Sequence, residues 1–116
     1  FMLHERGAEP HAGGTLAGYG QLRWNGTACL VAARPAEIQR IYVDRPWHGR
    51  GVAQALMERL LEAARSSGAD RVWLGVWEHN ARARAFYRKA GFEEIGDHPF
   101  TLGDEVQRDL VVARAP

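Results

Sequence analysis

VDRPWHGRGVAQALMERLLEAARSSG, residues 43–68, contains the strongest structural signals in this chain. Its second half repeats apolar side chains at helical spacing and ends at Gly68, which predicts a helix with one buried face. The apolar positions are Val52, Leu56, Leu60 and Ala63, with Ala53, Met57, Leu61 and Ala64 beside them. Two glycines, Gly49 and Gly51, stand directly before this helix. They leave the backbone amides at the helix start open, which raises the question of what those amides bind.

Strands are predicted on both sides of this helix. The segment EIQRIYVD (37–44) is β-branched and aromatic and lies between Pro35 and Pro46. The segment RVWLGVW (71–77) is an almost unbroken apolar run, as expected of a strand covered on both faces. A strand–helix–strand unit of this kind requires parallel strands and a right-handed crossover.

A second helix and two strands follow. Asn80 is the expected N-cap of the helix ARARAFYRKA (81–90), which Gly91 ends. Two further strands are predicted around FEEIG (92–96) and EVQRDLVVAR (105–114), joined through the connection HPFTLGD (98–104). The C-terminal half is therefore predicted to add antiparallel strands to the parallel pair.

The N-terminal half is predicted to form hairpins. A short apolar segment (1–4) and a turn-rich connection (7–14) precede the strand TLAGYGQLRW (15–24), and Asn25-Gly26 is a strong tight-turn signal. The segment 27–35 is either a second hairpin arm or a loop. The predicted fold is an α/β mixed sheet with flanking helices, and the excess of strands at both ends argues against a doubly wound sheet.

Composition excludes several classes of function. The 116 residues suffice for one domain, and 46% hydrophobic content with a net charge of +1 gives no reason to expect nucleic acid or a membrane as partner. Cys29 is the only cysteine, so no intrachain disulfide forms and a cytoplasmic location is expected. The five histidines are dispersed, and no metal site is expected.

The glycine pair predicts an anion-binding loop, because open amides and the dipole at a helix start both favour negative charge. A P-loop is excluded, since Gly51 is followed by Val52-Ala53 rather than Lys-Ser/Thr. A dinucleotide fingerprint is disfavoured, because Gln54 occupies the place of its third glycine and no acidic residue ends the next strand. A third phosphate loop, Gln/Arg-x-x-Gly-x-Gly/Ala, fits this segment best.

From about Glu37 to Ala113 the sequence resembles the GCN5-related N-acetyltransferase (GNAT) family. The resemblance rests on EIQRIYVDRPWHGRGVAQALMERLLEAA and on WLGVWEHNARARAFYRKAGFEEIG. The combination of WLGVWEHN, FYRKAGF and GDHPFTLGDEVQRDL is similar to a narrower branch that includes bacterial spermidine/spermine acetyltransferases. His48 departs from the usual Gln or Arg of the loop. The resemblance implies the acyl-CoA N-acyltransferase fold and acetyl-CoA as co-substrate.

The resemblance also implies residues that bind acetyl-CoA. The backbone of Ile41, Tyr42 and Val43 would run beside the pantetheine arm, with the Val43 amide donating to the thioester carbonyl. The amides that would bind the diphosphate are those of His48, Gly49, Arg50, Gly51, Val52 and Ala53. Asn80 matches a cofactor-contacting asparagine of the family, although a plain helix cap is its competing role.

Two catalytic residues follow from the same resemblance. Tyr87, in FYRKAGF, matches a tyrosine that donates a proton to the leaving thiolate, whereas a purely amphipathic tyrosine is the alternative. Glu37 matches a position that relays the amine's proton, commonly through water, and a solvated strand end is its alternative. The acidic residues Glu78, Asp97, Asp104 and Glu105 are weaker candidates for attracting a polycationic acceptor.

The sequence thus predicts an N-acetyltransferase that transfers acetyl from acetyl-CoA to a primary amine in a ternary complex, with a polyamine or another small amine favoured. The alternatives are a non-catalytic acetyl-CoA-binding regulatory module and a dinucleotide-binding fragment. The chain starts at what resembles the second strand of the family, so the usual N-terminal strand and helix pair are expected to be missing. A homodimer is compatible with the family, but no sequence feature decides it.

Overall fold

Six strands and two helices follow one another in the part of the chain that the computed structural model describes, residues 2–4, 16–44 and 48–116. The turn-rich connection predicted over 7–14 lies outside these residues. In chain order the elements are β1 (Met2–His4), β2 (Leu16–Trp24), β3 (Pro35–Val43), α1 (Val52–Ser66), β4 (Arg71–Trp77), α2 (Ala81–Lys89), β5 (Glu93–Leu102) and β6 (Glu105–Arg114).

The strands form one mixed sheet in the order β1-β2-β3-β4-β6-β5. β3 and β4 are parallel and are joined through α1, whereas every other neighbouring pair is antiparallel. The predicted strand–helix–strand unit and the mixed α/β class are therefore confirmed. The bounds of β4 agree with the prediction residue for residue.

Both helices pack on the same face of the sheet. The buried positions of α1 are Val52, Leu56, Met57, Leu60, Leu61 and Ala64, at the helical spacing that the sequence predicted. The last four of these meet Ile38 of β3 and Val72 of β4, and Phe86 and Tyr87 of α2 pack against the same core. Val52 and Leu56 pack against the end of β3. Neither described helix is long and apolar enough to cross a membrane.

The opposite face of the sheet carries a smaller apolar cluster of Trp73, Val111 and Ala113. Leu30, in the connection 25–34, packs against this cluster. The indole Nε1 of Trp73 donates a hydrogen bond to the carbonyl oxygen of Asn25 at 2.7 Å. The connection 25–34 therefore closes one end of this face and leaves the other end uncovered within the described residues.

The tight hairpin turn predicted at Asn25-Gly26 is wrong. β2 pairs directly with β3, and the chain between them is the long loop 25–34, which answers the open question about segment 27–35. The loop is held at both ends by hydrogen bonds that no local turn signal reveals. The Asn25 N–H donates to the Pro35 carbonyl at 3.2 Å, and the Asp70 carboxylate accepts from the Ala33 and Arg34 amides.

The connection predicted over 98–104 is also mostly wrong. β5 continues to Leu102, and only Gly103 and Asp104 form the turn to β6. Pro99 lies within β5, although proline cannot donate to a strand ladder. β5 is an edge strand, however, where proline is tolerated, and Gly103 supplies the positive φ of +64° that the turn requires.

Candidate active site

The pairing between β3 and β4 ends after three positions. Pro35, Ala36 and Glu37 pair with Arg71, Val72 and Trp73, and no further β3–β4 pair is formed by the described residues, although both strands continue. We call the space between the strands beyond Glu37 and Trp73 the strand gap. Such a gap inside a sheet exposes backbone groups that a bound molecule can pair with.

A β-bulge in β3 contributes to this separation. Gln21 of β2 pairs with Arg40 and Leu22 pairs with Ile38, so Gln39 is an extra residue in β3. Bulges bend a strand and increase its twist. The extra residue changes which side chains of β3 point toward the helices. Ile38 packs on the core before the bulge, and Ile41, three residues later, packs there after it.

Side chains that point away from the helices form what we call the open face of the sheet. Alternation along the strands and the cross-strand register assign these residues. Tyr19 and Tyr42 are in contact there, with ring centroids 5.5 Å apart. The open face around the strand gap comprises Tyr19, Glu37, Arg40, Tyr42, Trp73, Gly75, Trp77 and Asp109.

The other rim of the site is the glycine loop, residues 48–51, which leads into α1. Gly49 and Gly51 both have φ of +77°, a conformation that other residues rarely adopt. No side chain caps the first turn of α1, and no acidic residue lies in that turn. The amides there are available for an anion, which the helix dipole also favours. The donors present therefore fit the diphosphate of acetyl-CoA.

His48 fixes the glycine loop to the end of β3. Its Nε2 atom lies 2.8 Å from the carbonyl oxygen of Val43. Because a carbonyl only accepts, Nε2 carries the hydrogen and donates it. His48 therefore has a structural contact that the sequence prediction of diphosphate binding did not include.

The strand gap, the glycine loop and α2 enclose a cleft of about 550 Å³. It is lined by Ile41, Val43, His48, Gly49, Gly51, Val52, Ala53, Gln54, Asn80, Arg82, Ala83, Phe86 and Tyr87. Nine of the twelve predicted site residues are in this lining. The other three are Glu37, Tyr42 and Arg50, of which Tyr42 and Glu37 lie on the open face and Arg50 is exposed.

Four lining residues were not predicted from the sequence: Gln54, Arg82, Ala83 and Phe86. Arg82 is the informative addition, because it brings a positive charge to the cleft from the first turn of α2. The sequence alone shows that Arg82 stands two residues after the predicted cap, Asn80. What the sequence did not show is that the starts of α1 and α2 border the same cleft.

Asn80 has the capping role, one of the two roles that the sequence left open. Its side-chain oxygen accepts a hydrogen bond from the Ala83 N–H at 3.1 Å, so it caps α2. The same residue lines the cleft. The cap fixes the side-chain rotamer, and therefore also fixes what the residue presents to the cleft.

Tyr87 is half-buried on α2 and faces the cleft. Its ring contacts Phe86 and Phe92 edge-to-face, with centroid distances of 5.3 Å and 5.9 Å. Burial raises the pKa of the Tyr87 phenol above its ordinary value, because an ionised phenolate would be poorly solvated there. The phenol therefore stays protonated at neutral pH and can donate its proton.

Glu37 occupies the closed end of the strand gap, at the last position paired with β4. Its carboxylate forms an ion pair with Arg23 and accepts a hydrogen bond from Asn25 Nδ2 at 3.0 Å. Only 14% of its side chain is exposed, which rules out the solvated strand end as its environment. The structure places it on the opposite side of the sheet from the cleft lining.

No group of three or more His, Cys, Asp or Glu side chains with the arrangement of a metal site occurs among the described residues.

Comparison with known proteins identifies relatives of this chain. The sequence model described as the acetyltransferase (GNAT) family matches residues 7–92. A Mycobacterium bovis protein named as an uncharacterized N-acetyltransferase is 43% identical over 91 residues, which are 77% of this chain and 58% of that protein. The N-alpha-acetyltransferase RimI of Mycobacterium tuberculosis is 36% identical over 98 residues, 77% of this chain and 57% of RimI.

Solved structures share the fold. The crystal structure of nourseothricin acetyltransferase has a TM-score of 0.71 and 31% identity, and the match covers 88% of this chain and 59% of that one. The chain therefore spans less than two thirds of the length of each of these three proteins.

Proposed function

This chain belongs to the GNAT family of acetyltransferases, and we propose that it transfers the acetyl group of acetyl-CoA to a primary amine. The observation that carries the proposal is the cleft itself, which joins an uncapped helix start, a gap between parallel strands and a protonated tyrosine. Each of these three features supplies a different requirement of acetyl transfer.

Acetyl-CoA binding is assigned to the glycine loop and to the second half of β3. The amides of residues 48–53 hold the diphosphate, and the charge of Arg82 adds to their attraction. The backbone of Ile41, Tyr42 and Val43 pairs with the amide groups of the pantetheine arm, because β4 does not pair with β3 beyond Glu37 in the described part of the chain. Asn80 contacts the cofactor from the start of α2.

The transfer proceeds by direct attack in a ternary complex. The neutral amine nitrogen attacks the thioester carbon, and the carbon–nitrogen bond forms while the carbonyl oxygen becomes an oxyanion. The Val43 amide donates a hydrogen bond to that oxygen, which lowers the barrier. The intermediate then collapses with cleavage of the carbon–sulfur bond and departure of the CoA thiolate.

Two proton transfers complete the reaction, one to the CoA thiolate and one from the amine. The Tyr87 phenol donates a proton to the departing thiolate and is reprotonated by solvent. The amine loses its proton through a water relay that ends at Glu37, at the closed end of the strand gap. The ion pair with Arg23 holds the Glu37 carboxylate in position for that relay.

The acceptor is a primary amine, with a polyamine or another small amine favoured on the similarity to the spermidine/spermine branch. The test is release of the CoA thiol, followed with a thiol-reactive dye, in a panel of spermidine, an amino acid and a peptide N-terminus. Amine-dependent release with any of these supports the proposal. Tight acetyl-CoA binding without release for any amine would instead identify a non-catalytic binding module.

A further inference from the structure

We propose that Asp109 binds a second positive charge on the acceptor, so that this chain prefers short diamines and polyamine ends over amines with a neutral tail. The inference rests on the proposed function and deepens it, because it names a residue that selects the acceptor. Asp109 lies on β6 and belongs to the open face, where it pairs in register with Trp77 of β4.

The side chain of Asp109 lies over β4 because Gly75 leaves room for it. A Cβ atom at Gly75 would stand 3.3 Å from Asp109 Oδ2 and 3.7 Å from Asp109 Cβ. Gly75 follows Trp73, the last residue of β4 that pairs with β3, and therefore borders the strand gap. The carboxylate is thus directed from β6 across β4 toward the gap.

Asp109 is half-buried and has no hydrogen-bond or ion-pair partner among the described residues. Three other acidic side chains of the sheet are paired, Glu37 with Arg23, Glu94 with Arg84 and Asp97 with Arg108, whereas Glu93 and Glu105 are exposed to solvent. A partly desolvated carboxylate without a partner attracts a cation, because the pairing recovers part of its lost solvation. An ammonium group of the acceptor supplies the positive charge that no described residue provides to Asp109.

Aromatic rings lie on the open face on both sides of the strand gap. Trp77 is 44% exposed on the strand next to Asp109, and Tyr42 is 49% exposed across the strand gap. The faces of such rings attract cations and exclude water from the alkyl part of an amine. The carboxylate therefore suits the charge of an alkyl ammonium, and the aromatic rings suit its carbon chain.

The spacing selects a class of amine. The Asp109 carboxylate lies beside Gly75 of β4, and the strand gap begins on the far side of β4, so a charge held by Asp109 lies roughly one strand spacing, about 5 Å, from an amine reacting at the gap. Diamines with about three or four carbons between their nitrogens span about this distance, since each bond along the chain is about 1.5 Å long. Arg40, exposed on the open face across the gap, repels a second cation from the β3 side and favours the Asp109 side.

The turnover test compares trimethylenediamine with its isostere n-butylamine, in which a methyl group replaces one ammonium. We expect kcat/KM for the diamine to exceed that for butylamine by about tenfold or more, the effect of one charge pair of about 1.4 kcal/mol. Asp109→Asn keeps the shape of the side chain and is expected to remove the preference by raising KM for the diamine. The ratio kcat/KM for butylamine should stay close to that of the wild type. Asp97→Asn, a matched loss of charge on the other face, keeps the preference.

A binding measurement separates this inference from the proposed function. The chain saturated with CoA is titrated calorimetrically with trimethylenediamine. We expect Asp109→Asn to weaken diamine binding by about tenfold, and Arg40→Gln to strengthen it, because the two variants change the charge in opposite directions. Equal affinities in wild type and Asp109→Asn, or no diamine binding by the wild type, would overturn the inference. Absence of thiol release with diamine binding intact would count against the function alone.

Discussion

His48 and Val43 connect the glycine loop to the end of β3, through a hydrogen bond of 2.8 Å between the imidazole Nε2 and the backbone carbonyl oxygen. The contact sets the position of the loop amides relative to the strand that borders the gap. The side chain that makes the contact, His48, stands at the position where the family usually has glutamine or arginine.

His48→Ala should weaken acetyl-CoA binding without abolishing it. The variant loses one hydrogen bond, worth roughly 1 kcal/mol, or about a fivefold increase in Kd. The amides that hold the diphosphate remain, since they belong to the backbone. Calorimetric titration measures the change, with His98→Ala as control because His98 lies on the edge strand β5. A Kd unchanged by His48→Ala would show that the contact does not position the loop.

Gly51→Ala should weaken acetyl-CoA binding beyond its effect on stability. The residue has φ of +77° and open space where a Cβ would lie, so the cost is backbone strain of about 1–2 kcal/mol. Gly103→Ala is the matched control, with φ of +64° and similar open space in the β5–β6 turn. Chemical unfolding should show comparable losses for both variants. Only Gly51→Ala should raise the Kd for acetyl-CoA, and equal binding by both variants would contradict the role of the loop.

Tyr87→Phe should slow acetyl transfer by roughly 10- to 100-fold while leaving the Kd of acetyl-CoA close to that of the wild type. The phenylalanine keeps the ring contacts with Phe86 and Phe92 and removes only the proton donor. Tyr19→Phe, on the open face, is the control. The readout is the rate of thiol release at saturating amine. A full rate in Tyr87→Phe would assign the leaving-group proton to solvent.

The raised pKa of Tyr87 also predicts a pH dependence of stability. The folded state favours the neutral phenol, so its contribution to the free energy of unfolding is fully present below the unfolded pKa of about 10. That contribution is lost as the pH rises toward the folded pKa. Urea unfolding at pH 8 and pH 11 should show a steeper loss for the wild type than for Tyr87→Phe. Parallel losses in the two proteins would show that burial does not perturb this phenol.

Asp70→Asn should destabilise the chain at neutral pH. The hydrogen bond from the Ala33 amide to the carboxylate has the largest effect on the pKa of Asp70 and lowers it. Desolvation opposes this effect, but the Arg34 amide lowers the pKa further, so that it lies below its ordinary value. A lowered folded pKa means that the contribution is present above the unfolded pKa of about 4 and is lost as the pH falls through the folded value. The difference in Tm between wild type and variant should therefore shrink below about pH 4. Asp104→Asn, in an exposed turn, should show no such difference.

Local signals predicted much of this fold and of its site. Helical spacing and Gly68 gave the extent of α1, Asn80 and Gly91 gave that of α2, and the glycine pair indicated the loop before α1. These features depend on residues close together in the chain. Their backbone and capping requirements are therefore readable without knowing the tertiary contacts.

What the sequence did not reveal depends on register between distant strands. The bulge at Gln39, the ion pair of Glu37 with Arg23, and the place of Asp109 over Gly75 all require the strand pairing to be known. The length of β5 was missed for a related reason, since Pro99 is compatible with a strand only at an edge. Edge positions become visible only once the strand order is known.

Calorimetric titration of this chain with acetyl-CoA, beside NAD as the control, tests whether the cleft is an acetyl-CoA site. We predict saturable binding of acetyl-CoA in the micromolar range, no comparable binding of NAD, and a weaker affinity for acetyl-CoA in Gly51→Ala than in Gly103→Ala. A folded sample that does not bind acetyl-CoA, or that binds NAD equally well, would contradict the assignment of the glycine loop to the diphosphate of the coenzyme.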